Sequence, residues 1–338
     1  MIAPAEPLLD RRAEIAAART MEKAIRVLRD YHVSHGKRFD DAVDPNHTGL
    51  IGAEYTEITT TAGALEAKRT TTNPNMASLL VQLLAKADVV KGDTIALGCS
   101  GSFPALAIAT LAASNAIGVH PVMILSLGSS SYGATEGDLT LLDILGELKK
   151  EGVIDVAPAA VSVGGAKDVG HDLEPQAGDS LREKIRRSGI PLLSEPDLQR
   201  NVAERMRIYL GPLSNRRIAA FVNIGGSYAD LGTDPLILKL EPGVNKQMAI
   251  PPAEEKHGVV FAMAKQHIPV IHLLHIKGLA LKYRLPWDPI PLPAVTSGAI
   301  SQTRSAPGVS TIAVAAAYFS LIIVIFAYHR KEFFRTLF

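Results

Sequence analysis

The chain carries one cysteine, Cys99, so an intrachain disulfide is excluded and a zinc site would have to use other ligands. It also lacks an excess of either charge. Lys and Arg number 35 against 34 Asp and Glu, a formal net charge of +1, and so weak an overall field selects neither nucleic acid nor any other polyanion. No P-loop lysine motif occurs, and the glycine-rich turns stop short of the G-x-G-x-x-G dinucleotide fingerprint. No spacing of His, Cys and acidic residues reaches that of a metal centre. The sequence therefore asks for no cofactor and no metal. Nor does the opening stretch MIAPAEPLLDRRAEIAAA show a basic leader followed by an apolar run, the pattern of a signal peptide.

Charge is missing altogether from one long run. Residues 309–328 (VSTIAVAAAYFSLIIVIFAY) are uncharged and are followed by His329, Arg330, Lys331 and Arg335. A helix needs about 20 apolar residues to cross a hydrocarbon core of ~30 Å, so this run predicts one C-terminal transmembrane helix with a basic tail, 329–338. A linker, 285–308, holds Pro286, Pro289, Pro291, Pro293 and Pro307 and separates the anchor from the rest. The bilayer is thus an expected partner and a single-pass cell-membrane location is expected. The side of the body stays open. The positive-inside rule favours a cytoplasmic C-terminus, whereas the missing signal peptide favours a cytoplasmic body, and an anchor lost upstream would reconcile the two.

What is present upstream has ordinary globular character, 47% hydrophobic and 20% charged. Residues 1–45 form an N-terminal amphipathic helix region, because Ile15, Ala18, Met21, Ile25, Leu28 and His32 recur at helical steps. Residues 46–284 form the body, either one unit or two lobes meeting near residue 155. After a polar loop over 40–52, Asn73 or Asn75 caps a second helix. Then one pattern repeats: Ile95 to Ser100, Leu125 to Ser130, Val161 to Ala166 and Val222 to Ser227 are each an apolar run ending in Gly and a small residue. The last two also match further on, VSVGGAKDVG against VNIGGSYADLG, with Asp168 and Asp230 in register. Helical stretches over 104–116, 139–151, 180–188 and 197–210 separate the runs. Strand–helix alternation at this spacing predicts an α/β fold with a mainly parallel sheet and flanking helices, Rossmann-like in plan. A fifth apolar run, 268–276, is interrupted by His272 and His275.

In such sheets ligands bind beyond the carboxyl ends of the strands, where the four Gly-small turns lie. The segment Gly98-Cys99-Ser100-Gly101-Ser102 before a helix suits an anion, since glycine lets backbone N–H groups approach and the helix N-terminus favours negative charge. It also nearly matches the nucleophile elbow G-x-S-x-G, with Ser102 in place of the last glycine. Simple turn geometry explains it too. A serine nucleophile at Ser100 needs a base, for which His272 or His275 is available; three apart in a strand, at most one can face the site. Lys277 is the alternative cation there. Lys68 and Arg69, between the triplets Thr59-Thr60-Thr61 and Thr70-Thr71-Thr72, form either a carboxylate clamp in a loop or a surface hydrogen-bonding loop. Asp230 and Asp234 suit a cation, an acid–base pair or Asx turns.

The blocks GLIGAEYTEITTTAGALEAKRTTTNPN, GCSGSFPALAIATLAA, AAFVNIGGSYADLGTDP and PVIHLLHIKGLALKYRLPWDPIPLP together resemble the poly-γ-glutamate system protein family, accessory proteins of poly-γ-glutamate capsule biosynthesis. The resemblance spans about residues 46–293. It implies association with synthesis, export or processing of an anionic γ-linked polymer at the membrane, and brings no catalytic residues with it. Family members often begin with a hydrophobic segment, which this chain does not show.

Three readings follow. The first is a membrane-anchored accessory protein binding poly-γ-glutamate, or a glutamyl or phosphorylated precursor, at the sheet edge through Lys68, Arg69, Gly98, Gly101, Ser102, Ser129, Asn223, Gly225, Asp230 and Lys277. The second is an amide hydrolase or transferase acting on γ-glutamyl bonds, with Ser100 as nucleophile and His272 as base. The third is a non-catalytic scaffold for the membrane-bound synthase complex.

Overall fold

The computed structural model describes residues 11–211 and 217–295, together with Tyr318 and Ser320. Those two apart, the run 309–328 lies outside the described residues, as does the basic tail. Among the described residues no helix is long and apolar enough to cross a membrane.

Helix α1 (Arg11–Ser34) buries Ala17, Ala18, Met21, Ala24, Ile25 and Leu28, the stripe its periodicity predicts. A short strand, β1 (Thr59–Thr61), and a two-turn helix, α2 (Leu65–Thr71), follow. The segment carrying Lys68 and Arg69 is therefore helix, not loop. The hydroxyls of Thr70, Thr71 and Thr72 donate to the carbonyls of Glu66, Lys68 and Arg69 at 2.6–2.8 Å, so the second threonine triplet satisfies its own backbone rather than a ligand. Asn73 marks the start of α3 (Asn75–Lys86), its Oδ1 accepting from the Asn75 N–H at 3.0 Å.

The body is a seven-stranded sheet. Its strands are β2 (Thr94–Ser100), β3 (His120–Ser126), β5 (Ala160–Ser162), β6 (Leu192–Leu193), β7 (Ile218–Ile224), β8 (Gly243–Asn245) and β9 (Val270–Leu273). Spatial order is β6-β5-β3-β2-β7-β9-β8. All neighbours are parallel except the β8–β9 pair at the edge. A two-residue strand, β4 (Ser129–Ser130), pairs with β1 in a separate parallel ladder. The strands of Ile95, Leu125, Val161 and Val222 are thus parallel neighbours whose Gly-small turns share one edge, as the repeat predicts. Both sides of residue 155 contribute to this sheet, because β5 pairs with β3.

Crossover handedness sets the layers. The chain moves outward from β2 through β3 and β5 to β6, by way of α4 (Pro104–Ile117), α5 (Leu141–Lys150) and α6 (Pro175–Ser188). It then returns to β7 and β9 through α7 (Leu198–Leu210), α8 (Tyr228–Leu231) and α9 (Val259–Lys265). Reversing direction with right-handed connections puts the later helices on the opposite face. On that face Leu198, Val202 and Tyr209 of α7 and Val260, Phe261 and Met263 of α9 pack on Ala96, Ile124 and Phe221. Helix α4 is buried along nearly its whole length, with α1 and α3 packed against it. That position suits its uniformly apolar sequence. The reversal leaves the switch point between β2 and β7.

The fifth apolar run splits: β9 ends at Leu273 and α10 (Ile276–Lys282) begins after His275. Residues 285–295 are non-helical, as their prolines predict. They are strapped to the body, however. Asp288 receives the Arg69 guanidinium at 2.5–2.7 Å and its N–H donates to Thr70 Oγ1. Asn46 bonds both Pro289 and Leu292. The globular body therefore runs past residue 284.

Candidate functional site

A cleft of about 770 Å³ opens at the carboxyl ends of β2, β3, β7 and β9, over the switch point where open α/β sheets bind ligands. Its walls come from β1 and α2 (Thr60, Gly63, Lys68), the turn into α4 (Ser100, Ser102, Phe103), Ser130 of β4, the turn into α8 (Ser227, Tyr228), and the segment from His275 to Lys277 with Trp287. A larger groove, about 1100 Å³, lies along α5 and α6. Its charges are mutually neutralised, Lys184 with Asp143, Lys150 with Glu147 and Arg187 with Glu183, so the strand-end cleft is the better candidate.

Lys68 is the unusual group in the cleft. It is 2% exposed, and no carboxylate lies within salt-bridge distance of it among the described residues. Its Nζ donates to the Ser102 carbonyl and to Ser130 Oγ, the latter at 2.7 Å, and sits 3.9 Å from the centre of the Phe103 ring. Burial lowers its pKa to about 7, because desolvation disfavours the ammonium and nothing nearby compensates it. Helix geometry explains why Arg69 takes a different course. Successive residues are ~100° apart around the axis, so Lys68 enters the cleft while Arg69 pairs with Asp288.

The serines have distinct environments. Ser102 Oγ accepts from the Ser130 N–H at 3.0 Å. Ser129 Oγ, fully buried, donates to the Ser130 carbonyl. Ser100 Oγ is buried and makes no hydrogen bond. Gly225, at φ +83°, makes room for it, since a Cβ there would stand 2.5 Å from Ser100 Oγ. Lys277 is exposed at the mouth, 5.8 Å from the centre of the Trp287 ring, and pairs with no carboxylate among the described residues.

Beneath the cleft lies a buried ion network. Arg205 of α7, wholly inaccessible, holds Asp168 at 2.6 Å and Asp230 at 3.4 Å. Ser126 and Ser162 donate to Asp168 at 3.0 and 2.7 Å, Asn201 Nδ2 donates to it at 3.1 Å, and Ser227 donates to Asp230 at 2.7 Å. Burial works to lower the Arg205 pKa, but the two carboxylates hold it above its ordinary value. Burial pushes the Asp230 carboxyl up against the pull of Arg205. The matched aspartates of the two repeats are thus the two jaws of one arginine clamp.

Of the residues singled out in sequence, Lys68, Ser100, Ser102, His275 and Lys277 meet in the cleft, His275 from the turn before α10 rather than from the strand. Arg69, Gly98, Gly101, Ser129, Asn223, Gly225, Asp230 and His272 do not form its walls. Gly98 is there for Asp230, whose carboxylate would stand 2.7 Å from a Cβ at that position, and Gly101 lets the Leu127 carbonyl approach. His272 faces Asn223, Nδ1 to Nδ2 at 3.2 Å, and makes no bond to Ser100; burial lowers its pKa to about 4. Ser130 and Arg205 escaped sequence reasoning. The Leu-Ser-Leu-Gly-Ser-Ser turn did signal Ser130, while Arg205 resembled any other helix arginine. Among the described residues no group of His, Cys, Asp and Glu is placed to hold a metal. The chain matches no family model, no curated protein and no solved structure.

Proposed function

We propose that the strand-end cleft binds a carboxylate-bearing γ-glutamyl chain or precursor, and that the protein serves poly-γ-glutamate synthesis, export or processing at a membrane. The carrying observation is charge. Lys277 lines the cleft with no carboxylate partner among the described residues, Lys68 adds a second positive charge whenever it is protonated, and Asp172 is the acidic residue of the lining. A concave site with unpaired cations favours an anion. Ser100 Oγ adds a buried donor without a partner. The identity of the anion comes from the sequence blocks that resemble poly-γ-glutamate system proteins. They supply Thr60 to Lys68, Ser100 to Phe103, Gly226 to Tyr228 and Leu274 to Trp287, and so converge on this cleft from four separate stretches of chain. The uncharged run 309–328 would keep the site at a bilayer.

Fluorescence anisotropy of labelled poly-γ-glutamate with the full-length chain tests this. Binding should weaken as salt rises, by screening over ~8 Å near physiological ionic strength. Lys277→Ala should lower affinity about tenfold, the equivalent of ~1.4 kcal/mol, without shifting the melting temperature. Equal binding of a neutral polysaccharide, or binding indifferent to Lys277, would sink the reading.

A further inference from the structure

We infer that Ser130 and Lys68 form an acyl-transfer dyad, with Ser130 Oγ the nucleophile toward an amide or ester carbonyl in the cleft and Lys68 its general base. The substrate class, a γ-glutamyl amide, rests on the binding reading above; the dyad itself rests on geometry. Lys68 Nζ and Ser130 Oγ are 2.7 Å apart on the cleft wall. Both groups are held. Ser130 is fixed by the β1–β4 ladder and by its N–H on Ser102 Oγ, and Lys68 by the Ser102 carbonyl and the Phe103 ring.

The hydrogen-bond inventory assigns the direction of proton flow. A neutral amine has two N–H donors and one lone pair. As an ammonium Lys68 donates to the Ser102 carbonyl and to Ser130 Oγ and faces the Phe103 ring; loss of the proton it shares with Ser130 leaves its lone pair facing that hydroxyl, which then becomes the donor. With its pKa near 7, a large fraction of Lys68 is free base at neutral pH, the condition a base for serine must meet. The other cleft serines lack such a partner: Ser100 bonds nothing, Ser102 Oγ accepts from the Ser130 N–H, Ser126 donates to Asp168, and Ser227 donates to Asp230.

The reaction balances without an external reagent other than water. Ser130 Oγ bonds to the carbonyl carbon as its proton passes to Lys68 Nζ. The C–N bond then breaks, and Lys68 returns that proton to the departing amine. Water attacks the acyl ester, giving a proton to Lys68, which passes it to Ser130 Oγ as the carboxylic acid leaves. An amine in place of water would extend a chain instead of shortening it.

The test labels the full-length chain with a fluorophosphonate, locates the adduct by mass spectrometry and follows the rate against pH. The adduct should sit on Ser130, and labelling should rise through an apparent pKa near 7. Lys68→Met, which keeps the apolar stem and removes the buried charge, should remain folded and slow labelling at least ~100-fold, the scale of general-base catalysis; Lys68→Arg should slow it likewise. Release of p-nitroaniline from γ-glutamyl-p-nitroanilide should fall in parallel and vanish in Ser130→Ala. An adduct on another serine, or unchanged labelling in Lys68→Met, overturns the dyad. If Ser130 labels but poly-γ-glutamate does not bind, the dyad stands and the γ-glutamyl reading falls. If the polymer binds wild type and Ser130→Ala alike while no serine labels, the binding reading stands and the dyad falls.

Discussion

Arg205 and Lys68 are both cations withdrawn from water, one below the sheet edge and one on the wall of the cleft above it. Arg205 lies between two carboxylates, with Asn201 and two serine hydroxyls completing its shell. Lys68 has a carbonyl, a hydroxyl and an aromatic face, all neutral. The first arrangement fixes a charge permanently. The second makes the charge optional, because desolvation without a counter-charge brings the neutral amine within reach near neutral pH. Burial of a cation therefore carries no functional meaning by itself; what distinguishes the two is whether anything was buried with it.

The comparison breaks most visibly at Arg205. Replacing it with Met leaves Asp168 and Asp230 facing each other without a counter-charge, which should remove about 3–5 kcal/mol of stability in denaturant titrations. A loss under ~1 kcal/mol would mean the network is not holding the two repeats together. Lys68→Met should act in the opposite sense. The folded-state pKa of Lys68, about 7, lies below its ordinary 10.5, so between those values the unfolded chain binds the extra proton and stability rises with pH, by up to ~1.4 kcal/mol per unit. The penalty is fully present below pH 7. The Met variant should lose this rise and be more stable than wild type at neutral pH; identical pH profiles would show that Lys68 is not desolvated. The smallest effect is expected at Arg69, whose pair with Asp288 is partly exposed. Arg69→Ala should cost about 1 kcal/mol by loosening the strap over 285–295, and leave polymer affinity unchanged.

The sheet was legible in the sequence because each strand–Gly–small unit carries its own period and its own stop. Helices α4 and α7 were legible because Pro104 and Asp197 mark their starts. Short elements were not: β6, β8 and α8 owe their form to neighbours rather than to any local pattern. In the candidate site, Ser100, Ser102 and Lys277 could be named because they follow apolar strand runs, and Lys68 because it lies between two threonine triplets. Their partnerships could not. Whether a histidine beside a strand end turns to a serine or to Asn223 depends on register between β7 and β9, where Asn223 lies opposite His272. Of the two readings open for the second threonine triplet, the hydrogen-bonding one describes it, because its hydroxyls are claimed by the backbone, whereas Thr60 and Thr61 of the first triplet line the cleft.

The approach of Asp230 to Gly98 ties chain history to geometry. Alanine at 98 would place a methyl 2.7–2.8 Å from the carboxylate, so Asp230 would have to move away from its place beside Arg205 to admit it. Losing Asp230 first would leave Arg205 with Asp168 alone. Losing Arg205 first would strand both acids. Positions 98, 168, 205 and 230 are therefore coupled, and a change at one alters what the others can accept. Relatives of this chain should keep Gly, Asp, Arg and Asp together or have exchanged all of them, and intermediate combinations should be rare even where the surrounding strands have diverged freely.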